Sequence, residues 1–385
     1  MRVLVGFDKF KDSLSAPQAC QAAAGALRRR HPDWRIDLCP LTDGGDGFAA
    51  LLTEAAGGRL VTVPVTGPRG GLVEAGLGLV AEAQIPAAAR RLLSSPGATP
   101  ARSVAVLEMA AASGLALLPP ALRDPWQTST YGTGQLIRAA AELGAAAILL
   151  GVGGSATNDL GLGALAALGL EFRGAGGGLV RPPVPAAWAG IGRIDGGTFA
   201  AIPPIHIACD VTNPLLGPQG AAAIYGPQKG LQPADLARLE EAAERMAGLL
   251  CAHCGQPRAC ADVPGAGAAG GLPFGLVVGA RARLVPGFAL VAAWLGLEAR
   301  IAAADLIITG EGRFDPSSLA GKGPGTVAAA ASRAGKPVHV FAGAIRDAPA
   351  RPGWQLHAVT PPDYPWEQAQ REAAALLARS VEAAL

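Results

Sequence analysis

The chain has 385 residues, with 32 Lys and Arg against 30 Asp and Glu and a formal net charge of +2, so its charge balance gives no support for nucleic-acid binding. Half of its residues are hydrophobic and six are cysteines scattered along its length: ample chain for two or three domains, and no disulfide framework. It opens on Met1-Arg-Val-Leu-Val-Gly6, a strand entering a core rather than a signal peptide, and glycines and prolines break the charge-free stretch 263–280, so a cytoplasmic protein without a membrane span is expected.

In chain order, apolar runs predict strands at 2–6, 34–40, 59–65, 103–108, 146–151, 205–209, 305–309, 337–341 and 356–359. Helical spacing predicts helices at 16–30, 47–56, 134–143, 233–254, 324–334 and 366–385. The alternation of the two predicts an α/β fold with mostly parallel sheets covered by helices. Residues 173–198 and 263–286 lose all periodicity among glycines and prolines and read as long loops or lids. Arg28-Arg-Arg30 ends a helical segment, where cations suit the dipole.

The most informative stretch is Gly151-Val-Gly-Gly-Ser-Ala-Thr-Asn-Asp159, between a strand-like run and a helix-like run. Glycines admit an anion close to the backbone, and a following helix N-terminus offers unpaired N–H groups, so the loop reads as a phosphate cradle. The loop also fits G-x-G-x-x-A, with Glu171 further on, but Ser155, Thr157, Asn158 and Asp159 stand where a dinucleotide turn favours small apolar residues. Gly265-Ala-Gly-Ala-Ala-Gly270 fits the pattern literally with no strand before it and reads as a flexible loop. Cys251-Ala-His-Cys254 with Cys260 has only partial zinc-ligand spacing; free buried thiols are expected.

Lysine is scarce, five against 27 arginines, and four of the five (Lys9, Lys11, Lys229, Lys322) lie in motif-like surroundings. Such positions suit a compact ammonium rather than a planar guanidinium. Carboxylates gather at predicted strand ends: Asp8, Asp43 and Asp46, Asp210, and Glu311 with Asp315. One alone is more often a turn former or helix cap; several, three of them near a lysine, form a kit for phosphoryl transfer. Cations neutralise the moving group, one carboxylate takes the acceptor proton, and others hold Mg²⁺.

Seven ordered blocks carry a family resemblance: Asp8-Lys-Phe-Lys-Asp-Ser-Leu-Ser-Ala16, Pro40-Leu-Thr-Asp-Gly-Gly-Asp-Gly47, Val65-Thr-Gly-Pro68, the Gly151 loop, Cys209-Asp-Val-Thr-Asn-Pro-Leu215, Gly226-Pro-Gln-Lys-Gly230, and residues 310–322. They resemble the bacterial glycerate kinases over nearly the whole chain. The resemblance implies transfer of phosphate from ATP to D-glycerate, and two α/β domains with the active site in the cleft between them. One domain would be Rossmann- or flavodoxin-like and discontinuous, 1–78 with 287–385, around an inserted 79–286, with long loops near Leu79 and Arg283. A homodimer is possible within the family; nucleic acid and membrane are not expected partners. Rival readings are a nicotinamide-dependent oxidoreductase of a small hydroxy acid and a non-enzymatic small-acid binding protein.

Within the resemblance, Asp210 is the expected base, since a strand end can desolvate it and Asn213 can orient it. Gly153, Gly154 and Ser155 would hold phosphate oxygens, with Asn158 and Asp159 bracing the loop or touching nucleotide. Lys11, Lys229 and Lys322 would neutralise phosphate or the glycerate carboxylate; Asp8, Asp43, Gly44, Gly45 and Glu311 complete the binding set, and Asp315 would meet Mg²⁺. The family more often has Ser at Lys9, Gly at Asp12, Glu at Asp46, Gly at Leu160 and Gln at Ser317, which puts a hydrogen bond from Ser317 in doubt.

Overall fold

The structure, a computed structural model, describes residues 1–93, 103–319, 323–348 and 351–385. Its strands are β1 (Arg2–Phe7), β2 (Arg35–Leu38), β3 (Arg59–Thr66), β4 (Leu72–Ala81), β5 (Ser103–Glu108), β6 (Ala147–Gly151), β7 (Glu171–Gly174), β8 (Ile191–Asp195), β9 (Ile205–Ala208), β10 (Arg283–Val285), β11 (Leu306–Phe314), β12 (Val338–Ile345) and β13 (Trp354–Ala358). They fall into two units, Met1–Asp43 with Phe288–Leu385, and Gly44–Gly287.

The first unit is built on an all-parallel sheet ordered β13-β12-β11-β1-β2. Counted along this unit alone, that is the flavodoxin-like order. β1 is central; Val3, Leu4 and Val5 have no exposed surface, which is why it reads as an unbroken apolar run. The helix Ala16–Arg30 packs on it. Ser15 and Gln18 form its capping box, and Arg28, Arg29 and Arg30 occupy its last turn. From β1 the chain moves to β2 on one side, and from β11 to β12 on the other. The carboxyl ends of β1 and β11 therefore flank a topological switch point, where open α/β sheets bind ligands.

The second unit carries a sheet ordered β10-β9-β6-β5-β4-β3, parallel from β10 to β5 and antiparallel through the β3–β4 hairpin, with β7 and β8 paired separately. Pro64 is tolerated because β3 is the edge strand. The chain thus crosses between units at 43/44, not at the expected 78/79. The reason is β4, whose glycines read as loop punctuation. Gly78 leaves room for the helix Phe48–Ala55: a Cβ there would fall 1.6 Å from Thr53 Oγ1. Leu79 and Arg283 accordingly lie in strands, not loops.

The two supposed loops or lids also hold ordered structure. Residues 173–198 contain β8 and the fully buried Trp188, whose Nε1 donates to Pro183 O at 2.9 Å. Residues 263–286 contain the helix Leu272–Ala280, whose Leu272, Phe274 and Leu276 are buried in the unit's core. A helix apolar all round has no polar face and so no periodicity to read. The predicted helix 366–385 is two, Trp366–Arg371 and Ala373–Ala384. All six cysteines are free thiols, Cys254 and Cys260 half-buried rather than buried. Among the described residues no helix is long and apolar enough to cross a membrane.

Candidate functional site

The Gly-rich loop leaves the carboxyl end of β6 and lies backbone to backbone against Gly44 and Gly45. Gly153 N donates to Gly44 O at 2.9 Å, and a Cβ on Gly153 would stand 2.6 Å from Gly45 Cα. Gly154 has φ +73°, and a Cβ on it would come 2.8 Å from Asp46 Oδ1. Gly153 is therefore required by packing between two Gly-rich segments and Gly154 by its left-handed backbone, whatever ligand they meet. Leu115 N donates to Gly154 O and Ala156 N to Ser113 O, fixing the far side. Gly154 is exposed, and the N–H groups of Gly154 and Ser155 donate to no backbone acceptor among the described residues. Two adjacent donors beside a left-handed glycine have the geometry of a concavity that can receive an anion.

The expected helix N-terminus does not contribute to it. The helix Leu162–Ala167 begins only beyond Asp159, and its leading N–H groups are already satisfied. Gly161 and Gly163 donate to the Asp159 carboxylate at 3.1 and 3.2 Å, and Ala164 donates to Thr130 Oγ1 at 2.9 Å. This also argues against a dinucleotide turn, in which the helix opens within the glycines. Asp159 further accepts from Thr130 N and Thr130 Oγ1, at 2.8 and 2.9 Å. Burial pushes its carboxyl up, against the pull of these donors. Asp159 braces the loop.

Lys229 is neither a surface charge nor open to a phosphate. It has no exposed surface, and its ammonium donates to Thr157 O at 2.6 Å. Burial lowers its pKa to about 7, with the nearby Asp159 charge opposing the drop. In this conformation it holds the loop from behind. Asn158 is buried beside it, its Oδ1 without a hydrogen bond among the described residues.

Asp210 follows β9 and is exposed, not buried as expected. A Cβ on Gly287 would lie 2.7 Å from its Oδ2, which places the carboxylate by the end of β10. Asn213 donates from Nδ2 to Gln219 O at 2.8 Å and accepts from the Tyr225 hydroxyl at 2.6 Å, so it holds its own turn. The literal glycine motif at 265–270 is buried, not flexible. Gly267 N donates to Asn213 O, and Leu160 N donates to Gly270 O. It joins the Gly151 loop to the Asp210 loop.

In the first unit, Asp8 follows β1, Asp43 lies on the segment after β2, and Glu311 belongs to β11, three strands that are adjacent in the sheet. Asp8 is 7% exposed; its N donates to Gly310 O at 2.9 Å and its Oδ1 accepts from Lys9 N at 2.7 Å. Burial first, then the Asp43 charge, raises its pKa to about 7; Lys9 opposes them and Glu311 adds to them. Glu311 lies within β11, which runs past the predicted end to Phe314. Lys11 is exposed on the turn between Phe10 and Leu14, which are bridged to each other. Asp315 accepts from Ser317 N and Oγ on Oδ1, at 2.8 and 2.6 Å, and pairs with Arg313 through Oδ2 at 3.0 Å. Ser317 thus does supply a hydrogen bond, to Asp315 itself. Lys322 lies outside the described residues. Among the described residues no three His, Cys, Asp or Glu side chains are gathered to hold a metal ion.

Sequence reasoning missed Thr128, Thr130 and Glu108. Thr128 and Thr130 are buried; Thr128 Oγ1 donates to Ala156 O at 3.1 Å. Glu108, at the end of β5, accepts from Ala49 N at 3.0 Å in the first turn of Phe48–Ala55. The run Gln127-Thr-Ser-Thr130 ahead of the helix Tyr131–Glu142 was a readable signal, because small hydroxyl residues satisfy backbone groups at helix starts.

The profile of the Glycerate kinase family matches residues 3–385. A glycerate kinase of Bacillus subtilis is 37% identical over 387 residues, covering 99% of this chain and 96% of its own. A glycerate 2-kinase of Escherichia coli is 38% identical over 355 residues, covering 90% and 86%. A crystal structure from Salmonella typhimurium LT2, whose designation as glycerate kinase 2 is provisional, is 36% identical with a TM-score of 0.75, covering 100% of this chain and 97% of that one. With a family profile spanning all but the first two residues, the chain belongs to the glycerate kinase family.

Proposed function

We propose that the protein is an ATP-dependent kinase that transfers the γ-phosphoryl group of ATP to the 2-hydroxyl of D-glycerate, giving 2-phospho-D-glycerate. The full-length family match carries this reading, and a glycerate 2-kinase among the relatives supports the position of attack. The N–H groups of Gly154 and Ser155 would receive phosphate oxygens, and the exposed Lys11 would neutralise charge on phosphate or on the glycerate carboxylate. Asp315, expected to meet Mg²⁺, does not fit that task well, since Ser317 and Arg313 engage both its oxygens. Mg²⁺ would instead enter on the nucleotide phosphates, as this ion commonly does, and spread their charge.

A coupled assay of ADP release tests the reading. ADP formation that needs both ATP and D-glycerate supports it. Glycerate binding with no ADP, or glycerate-dependent reduction of a nicotinamide without ATP, overturns it.

A further inference from the structure

We infer that Asp8 is the general base of the transfer proposed above, accepting the proton of the glycerate hydroxyl as it attacks; the inference rests on that reading. Asp8 stands at the carboxyl end of the central strand β1, beside the switch point between β1 and β11 where a sheet of this order binds its ligand. Its side chain is more than nine-tenths buried. Oδ1 accepts from Lys9 N, while Oδ2 takes no hydrogen bond from any described residue. A buried carboxylate with one oxygen left unbonded at a ligand-binding strand end is placed to accept a proton from a bound hydroxyl.

The surroundings set its affinity for that proton. Asp43 faces it from the segment after β2, Glu311 from β11, and Lys9 from its own loop; Cys20 of the helix Ala16–Arg30 accepts from Phe7 N, its thiol held up to about 12 by burial. The two neighbouring carboxylates and the burial keep the Asp8 proton until about pH 7, so near neutrality the group can both take up a proton and release it. Asp210, by contrast, is exposed. In the step, the hydroxyl oxygen bonds to the γ-phosphorus and the bond from that phosphorus to the bridging oxygen breaks. The electron pair leaves on ADP, and the hydroxyl proton passes to Asp8 Oδ2. Release of products lets Asp8 return the proton to water.

The test is kcat/KM for D-glycerate, read by ADP release at saturating ATP across neutral pH, with glycerate binding by calorimetry and thermal melting alongside. Wild type should gain activity as pH rises through about 7. Asp8→Asn should lower kcat by about 10² to 10⁴-fold while still binding glycerate. Asp43→Asn, whatever it does to the maximal rate, should move the acid limb to lower pH, because it removes a charge that raises Asp8. A limb that stays in place in Asp43→Asn, or an Asp8→Asn enzyme with wild-type kcat, overturns the inference alone. A wild type that releases no ADP with glycerate overturns the kinase reading and the inference with it.

Discussion

Replacing Lys229 by methionine should abolish a pH dependence of stability that the wild type carries. The side chain is fully buried, and taking its ammonium out of water lowers the pKa from 10.5 to about 7. At ~1.4 kcal/mol for each pH unit of that displacement, the folded state carries a penalty on the order of 4 to 5 kcal/mol for the charged form. The unfolded chain keeps the proton up to about 10.5 and the folded chain only to about 7, so between these values the unfolded state holds more protons and stability rises with pH. Lys229→Met has no such proton. It loses the 2.6 Å hydrogen bond to Thr157 O, worth about 1 to 3 kcal/mol at a buried acceptor, but that loss is independent of pH. Urea unfolding of both proteins at pH 7, 8.5 and 10 is the assay, and the difference between them cancels the other titrating groups. Wild type should gain on the order of 4 kcal/mol relative to the variant from pH 7 to 10. Parallel stability profiles would refute the reasoning, for they would mean that the ammonium is solvated or fully paired. Lys229→Arg, which cannot shed its charge, should be less stable than wild type throughout that range.

Asp12 is exposed at φ +61°, and Asp12→Gly should raise the unfolding free energy by about 0.5 to 1 kcal/mol by relieving left-handed strain. Leu160 has φ +56° but is 1% exposed, so in Leu160→Gly the lost core side chain, about 2 to 5 kcal/mol, should outweigh the relief and lower the midpoint of urea unfolding. Gly153→Ala should lower the melting temperature more than Gly47→Ala: the first meets Gly45 Cα at 2.6 Å, the second has open space and only a φ of +88° to bear. Equal melting temperatures would contradict the packing role given to Gly153. Asp8→Asn should leave stability unchanged near pH 4 and raise it by up to about 4 kcal/mol at pH 8, because the raised carboxyl pKa makes wild-type stability fall as pH rises from about 4 through about 7; a variant no more stable at pH 8 would show that Asp8 ionises freely.

Parallel strands such as β1, β5 and β6 were legible because burial on both faces leaves an unbroken apolar run. β4 was not, since Gly76 and Gly78 look like turn residues until the helix Phe48–Ala55 is seen lying on Gly78. The helix Leu272–Ala280 was hidden by the opposite cause, an apolar surface all round. In the site, the residue types of the Gly151 loop could be read, but not the direction of its contacts. Lys229 and Asp159 are polar because they brace a buried loop, and scarcity of lysine could not tell a brace from a phosphate contact. Asp12 and Leu160, two departures from the family pattern of glycine, both carry positive φ.

The central claim is transfer of phosphate from ATP to the 2-hydroxyl of glycerate, and ³¹P NMR of the products tests it most directly. The account predicts one phosphate ester formed for each ADP, its phosphorus split into a doublet by the single proton on C2. A triplet, from the two protons on C3, would contradict the position of attack, and ADP formed with inorganic phosphate and no ester would contradict glycerate as the acceptor.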